Sequence, residues 1–226
     1  MHRFAHVGLA TALCFVMQAS APNAAPLAVE FVHSGPLDAA CAFLGSYTID
    51  SAWRAELDRR LPELQDAWAR DGGPVLERAL RLAGRRLHGL RPVQLTLCDV
   101  PSSSMFGTVV NARHALASFT GTPVSMRYKA IVAAHELLHS ALADADLSAS
   151  PMLAAHARER QRVRNHLHLF ALLKAAMIEL GREDALDEIW RVDRGLPDGA
   201  YGRAWELVNA SPNRYLAYVE EVRASR

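Results

Sequence analysis

His135, Glu136 and His139 form a His-Glu-x-x-His pattern inside Ala130–Ala143, an apolar run in which Glu136 is the only charge and no Gly or Pro occurs. On a helix, residues four apart share a face, so His135 and His139 can bring two imidazole nitrogens to one zinc ion. Glu136 is rotated round the axis to where its carboxylate reaches a water on the metal, which is the placement of a general base. Ile131, Ala134 and Leu138 recur at helical spacing and predict that this helix packs into a core. Burying two imidazoles and a carboxylate without partners costs on the order of several kcal/mol. That cost favours a metal site over the plainer alternative, an amphipathic helix with its histidines partly in solvent.

On His135–His139 the chain resembles the zincin metallopeptidases, and more weakly over residues 93–142 through the order strand, strand, helix. The resemblance implies a zinc-dependent peptidase with His135 and His139 as ligands and Glu136 as catalytic base. It also implies a small sheet before the active-site helix, whose edge strand aligns a peptide or protein substrate. The metzincin continuation, a Gly and a third His soon after the second, is missing: Ser140-Ala141-Leu142-Ala143-Asp144-Ala145 follows His139.

Catalytic zinc takes three protein ligands and an open position, so a further ligand is expected downstream. Glu159 lies at the distance thermolysin-like zincins use, but among charged neighbours, Arg158, Arg160 and Arg162. Asn165-His166-Leu167-His168 opens a strongly apolar helix, on which His166 and His168 point about 200° apart. His166 continues the bulkier stripe of Phe170, Leu173 and Met177 and is preferred as third metal ligand; His168, Glu159, Asp144 and Asp146 stay open as substitutes. The basic alternation Arg158, Arg160, Arg162, Arg164 reads as a solvated helix face.

His2 and Arg3, the apolar run Val7–Val16 and the small residues and prolines up to Pro26 predict a secretory signal peptide over residues 1–25. Residues 26–226 then suit a single domain. The apolar run is too short for a confident membrane span and no later stretch approaches one, so no membrane association is expected after signal removal. Loss of the leader removes one of 3 Cys and leaves Cys41 and Cys98, which in an exported chain suggest a disulfide. The formal net charge of +1 falls to about zero with Arg3 gone, which argues against nucleic acid or an anionic membrane surface as partner. Arg far exceeds Lys, with Lys129 and Lys174 the only lysines, as in GC-rich bacterial genomes; together with the signal peptide this makes the expected location periplasmic or secreted. Oligomeric state is not encoded in any pattern here.

The elements that must position the motif are mostly helical. Ala52–Asp71 carries Trp53, Leu57, Leu61, Leu64 and Trp68 at helical spacing and is closed by Gly72-Gly73-Pro74; Val75–Leu87 continues as a second helix. Val93–Cys98 alternates like a half-buried strand, and Val109–Val110 with Leu116–Phe119 suggests a hairpin around Asn111–His114. His114 reads as an exposed loop residue. Thr122 or Ser125 is available to cap the motif helix. Glu183–Val192, Tyr201–Asn209 and Pro212–Val222 read as short helices; they offer Tyr201, Tyr215 and Tyr218 as oxyanion donors, with nothing in their spacing to choose among them. The expectation is therefore an α+β, mostly helical, zincin-like domain with a small antiparallel or mixed sheet ahead of the active-site helix. Its function would be exported peptide-bond hydrolysis with Zn2+ as cofactor. The competing function is a non-catalytic zinc-binding structural or interaction domain of the bacterial periplasm.

Overall fold

A computed structural model describes residues 25–105 and 107–225, so the expected signal peptide lies outside the described residues except for Ala25. The chain runs through β1 (Ala28–His33), α1 (Gly35–Gly45), α2 (Ser51–Ala67), α3 (Gly73–Ala83), β2 (Leu90–Thr96) and β3 (Thr108–Asn111). It continues through α4 (Met126–Leu142), α5 (Pro151–Ala155), α6 (Gln161–Glu179), α7 (Glu183–Arg194), α8 (Ala200–Val208) and α9 (Arg214–Ala224). A buried apolar cluster reaches from Phe31 to Val222 and includes the whole inner face of α6. Among the described residues no helix is long and apolar enough to cross a membrane.

The α+β class with a small sheet ahead of the motif helix is as expected, but the sheet is neither antiparallel nor mixed. Its three strands, in order β1-β2-β3, are all parallel, with Ala28 opposite Leu90 and Val93 opposite Thr108. Two causes account for the difference. The first is β1, which the sequence reading lacks: only Phe31 of its six residues is buried, so its alternation is faint, and the α1–α3 crossover returns the chain parallel to it. The second is that Leu116–Phe119 is not a strand. Its amides are already engaged: Ala117 and Ser118 donate to the Glu56 carboxylate at 2.9 and 2.7 Å, and Phe119 donates to the Leu116 carbonyl at 3.1 Å. With the N–H groups spent on a side chain and a turn, no hairpin ladder can form.

The outer side of β3 is met by its own preceding loop, since Ser103 and Val109 exchange N–H···O bonds of 2.9 and 2.8 Å. Asn111 N–H donates to Ser102 Oγ at 3.1 Å, which closes the same edge further along.

Gly72-Gly73-Pro74 does not break the helical path as expected. A π-helical turn, Trp68–Gly72, carries α2 directly into α3. Gly72 lies against the motif helix, where a Cβ would sit 2.7 Å from the Ala130 carbonyl oxygen, so a side chain here would push α4 away. Cys41, on α1, and Cys98, after β2, meet as a disulfide with S–S 1.98 Å.

Candidate metal centre

Helix α4 is held at its start and along its side. Ser125, not Thr122, is the cap: its Oγ accepts the Tyr128 N–H at 2.9 Å and donates to Glu188 Oε1 at 2.6 Å. Arg127 pairs with Glu188 and Asp184 on α7. The predicted stripe Ile131, Ala134 and Leu138 is buried, as are His135 and Glu136, while His139 is half-buried.

Helix α6 crosses this face and contributes His166. The Nε2 atoms of His135 and His139 are 3.1 Å apart and those of His139 and His166 3.2 Å apart, and all three ligand atoms lie within 4.8 Å of one another. Tetrahedral zinc with Zn–N of about 2.05 Å requires N···N separations of about 3.3 Å, so the spacing suits one ion. Hydrogen bonding alone does not account for it. His166 Nδ1–H donates to the Arg162 carbonyl at 2.6 Å, which leaves Nε2 with its lone pair. A ring nitrogen has one in-plane direction, for a proton or a lone pair, yet His139 Nε2 faces two neighbours. Burial pushes all three imidazoles down, His135 well below the ordinary range and His139 and His166 to about 4, so they are neutral donors at physiological pH.

The other candidates fall away from this group. His168, two residues on from His166, faces the opposite side of α6 and donates through Nε2 to Glu221 Oε2 at 2.8 Å. Glu159 is held by Arg203 at 2.7 Å. Asp146 accepts from Ser148, and Asp144 is exposed.

Compared with protein-family models, with curated proteins and with solved structures, the chain matches none.

A cavity of about 400 Å³ opens beside His135 and Glu136, between α4, the loop Asp99–Ser102 and the segment Leu196–Tyr201. Burial pushes the Glu136 carboxyl up to about 8 against the pull of Arg162; a divalent ion beside it would pull it back down. Of the three tyrosines, only Tyr201 reaches the site, with its ring centroid 4.5 Å from that of His166. Tyr215 packs under Lys174, and Tyr218 is buried against His168. Arg162 departs from the solvated face expected of the basic run, because it lines the cavity, lies over Tyr201 and donates to Asp198 at 2.6 Å. His114 is exposed, as expected, but it stands at the rim of the same cavity. Lys129 and Asp193, which also line it, were not picked out from the sequence. Lys129 does carry a signal in the sequence, a lysine directly before the apolar run that begins at Ala130.

Proposed function

We propose that the chain is an exported zinc-dependent hydrolase of the zincin type, a metallopeptidase in which His135, His139 and His166 hold Zn2+ and Glu136 is the general base. The observation that carries this reading is the convergence of three neutral Nε2 atoms beside a cavity that also contains Glu136. Bound there, zinc supplies a Lewis acid that polarises the scissile carbonyl and acidifies a water. The Glu136 carboxylate takes the proton from that water and passes it to the departing amine nitrogen. Tyr201, whose ring lies beside His166 and lines the cavity, is the candidate donor to the carbonyl oxygen as charge builds on it. His166 is oriented through its Nδ1–H to the Arg162 carbonyl, and the apolar walls of α4 and α6 keep bulk water from its back.

The substrate lies differently from the zincin expectation. Val109, the middle of the edge strand β3, is already bridged by Ser103, so β3 does not offer a free edge there, and the substrate enters instead through the cavity that Asp99–Ser102 helps to line. A cavity lined by His135 and Glu136 supports this reading over a structural zinc site, in which protein closes the fourth position.

The test combines metal analysis with peptide cleavage. Wild type should hold about one zinc per chain and cleave members of a quenched peptide library, whereas Glu136→Gln should keep the metal and lose cleavage by at least about 100-fold. Wild type that holds zinc but cleaves no better than Glu136→Gln across the library sinks the peptidase. Chelation gives a second check. A catalytic site loses activity with little change in circular dichroism, while a structural site unfolds.

A further inference from the structure

The cavity beside the three histidines changes character along its length. Close to Glu136 its α4 wall is Val132 and Ile131, faced by Leu173 and Ile189, and further along α4 it reaches Lys129. Lys129 precedes Glu136 by seven residues, two turns and about 10 Å along the same helix face.

Lys129 is only 6 % exposed; its Nζ makes no hydrogen bond or salt bridge among the described residues, lies 5.5 Å from the Tyr128 ring centroid and keeps contact with the solvent of the cavity. The surrounding charges are already engaged. Asp193 accepts from Tyr128 Oη at 2.9 Å through Oδ1 and from Trp205 Nε1 at 2.8 Å through Oδ2. Arg113 is paired with Asp99, and Arg162 with Asp198. Burial pulls Lys129 down to about 8 against the attraction of Asp193, which leaves it mostly protonated at neutral pH. An ammonium at the end of a mostly buried stem, with only the Tyr128 ring and the solvent of the cavity beside it, is poorly compensated, and an anion arriving from solvent supplies the missing partner.

We propose that this cavity is a side-chain subsite and that Lys129 is its specificity-determining residue, selecting peptides with an acidic side chain next to the scissile bond. The reach from Glu136 to Lys129 favours glutamate over aspartate, with the glutamate methylenes against Val132 and Ile189 and the carboxylate on Nζ. The cleavage part rests on the peptidase reading; the recognition part does not.

The experiment uses zinc-loaded Glu136→Gln protein, which binds without turnover, and fluorescein-labelled pentapeptides Ala-Ala-X-Ala-Ala with X as Glu, Gln, Leu or Lys. Fluorescence anisotropy should show the Glu peptide binding at least about 10-fold tighter than the Gln peptide, one charge-assisted hydrogen bond being worth roughly this factor. Adding Lys129→Met should erase the difference. Equal binding of Glu and Gln peptides, discrimination that survives Lys129→Met, or no peptide binding at all overturns the proposal. In case Lys129→Met does not fold, acylation of the unsubstituted lysine is followed by mass spectrometry: the Glu peptide should slow modification of Lys129 at least about 10-fold and leave Lys174 unchanged. Equal protection by the Gln peptide counts against the subsite. Wild type is assayed in parallel on the same peptides. Glu-selective binding without cleavage leaves the subsite standing and removes the peptidase, and cleavage without Glu selectivity does the reverse.

Discussion

His166 and His168 stand two residues apart on α6, both buried, 6 % and 4 % exposed, and they serve opposite ends of what a buried imidazole can do. His168 meets a carboxylate. Its Nε2–H donates to Glu221, which also accepts from the Ser150 hydroxyl and the Met152 N–H, so α6, α9 and the start of α5 are tied at one point with every donor matched. His166 meets two more imidazoles and no counter-charge. Its Nδ1–H is spent on the Arg162 carbonyl and its lone pair points at His139. A buried histidine with a carboxylate partner is complete without a ligand, whereas three neutral imidazoles whose Nε2 atoms crowd one point, one of them with its lone pair inward, are incomplete until a cation joins them.

The largest effect that can break this comparison is on metal affinity. His166→Ala should weaken zinc binding by more than about 1,000-fold, beyond the 10–100-fold cost of losing an outer partner, while His168→Ala keeps about one zinc per chain. Competition against a chromophoric chelator measures both, and equal losses would erase the distinction.

Glu56 extends the comparison to a carboxylate with its partners complete. Burial pushes its pKa up, but the Ser118 and Ala117 N–H groups and Arg60 outweigh this and bring it to about 2 from 4.5. A depressed carboxylate stabilises the fold above its unfolded value and loses that contribution as pH falls through the folded one. With solvent screening taken into account, roughly 2 kcal/mol should therefore be present at pH 7 and disappear between about pH 4.5 and 2. Urea unfolding of wild type and Glu56→Gln across that window should show the stability gap closing; a gap independent of pH would mean the carboxylate is not what holds Ala117 and Ser118.

On the fold itself the two histidines should exchange importance. His168→Ala should destabilise the metal-free protein by ~2 kcal/mol, through the lost hydrogen bond and the void it leaves, and by more than His166→Ala does. Urea unfolding in the presence of a chelator tests the order. The smallest effect is Glu221→Gln. It keeps an acceptor for His168 but removes the charge, and should cost ~1 kcal/mol with no change in zinc content.

Much of the candidate site was legible because its geometry is local. The four-residue step from His135 to His139 is a property of any helix, and the absence of Gly, Pro and charge around it made helix the only reasonable reading. His166 was separable from His168 because the first sits in line with Phe170 and Leu173, the residues that face α4. The limits of α7, α8 and α9 followed from the Gly195-Leu196-Pro197 and Ser211-Pro212 punctuation to within two residues. Leu116–Phe119 misled for the opposite reason. Its apolar residues imitate a strand, but the group that claims its amides, Glu56, is some sixty residues away in sequence.

The sequence by itself determined which side chains a helix must put on one face: His135, Glu136 and His139 on α4, and the divergence of His166 from His168 on α6. Such relations depend only on helical pitch and need no knowledge of what lies opposite. Tertiary structure alone decided that His166 meets His139 while His168 meets Glu221, that β1 turns the sheet parallel, and that Lys129 lines a cavity without a salt bridge among the described residues. Each of these is a pairing between segments far apart in the chain, set by which faces pack, and no local periodicity carries that information.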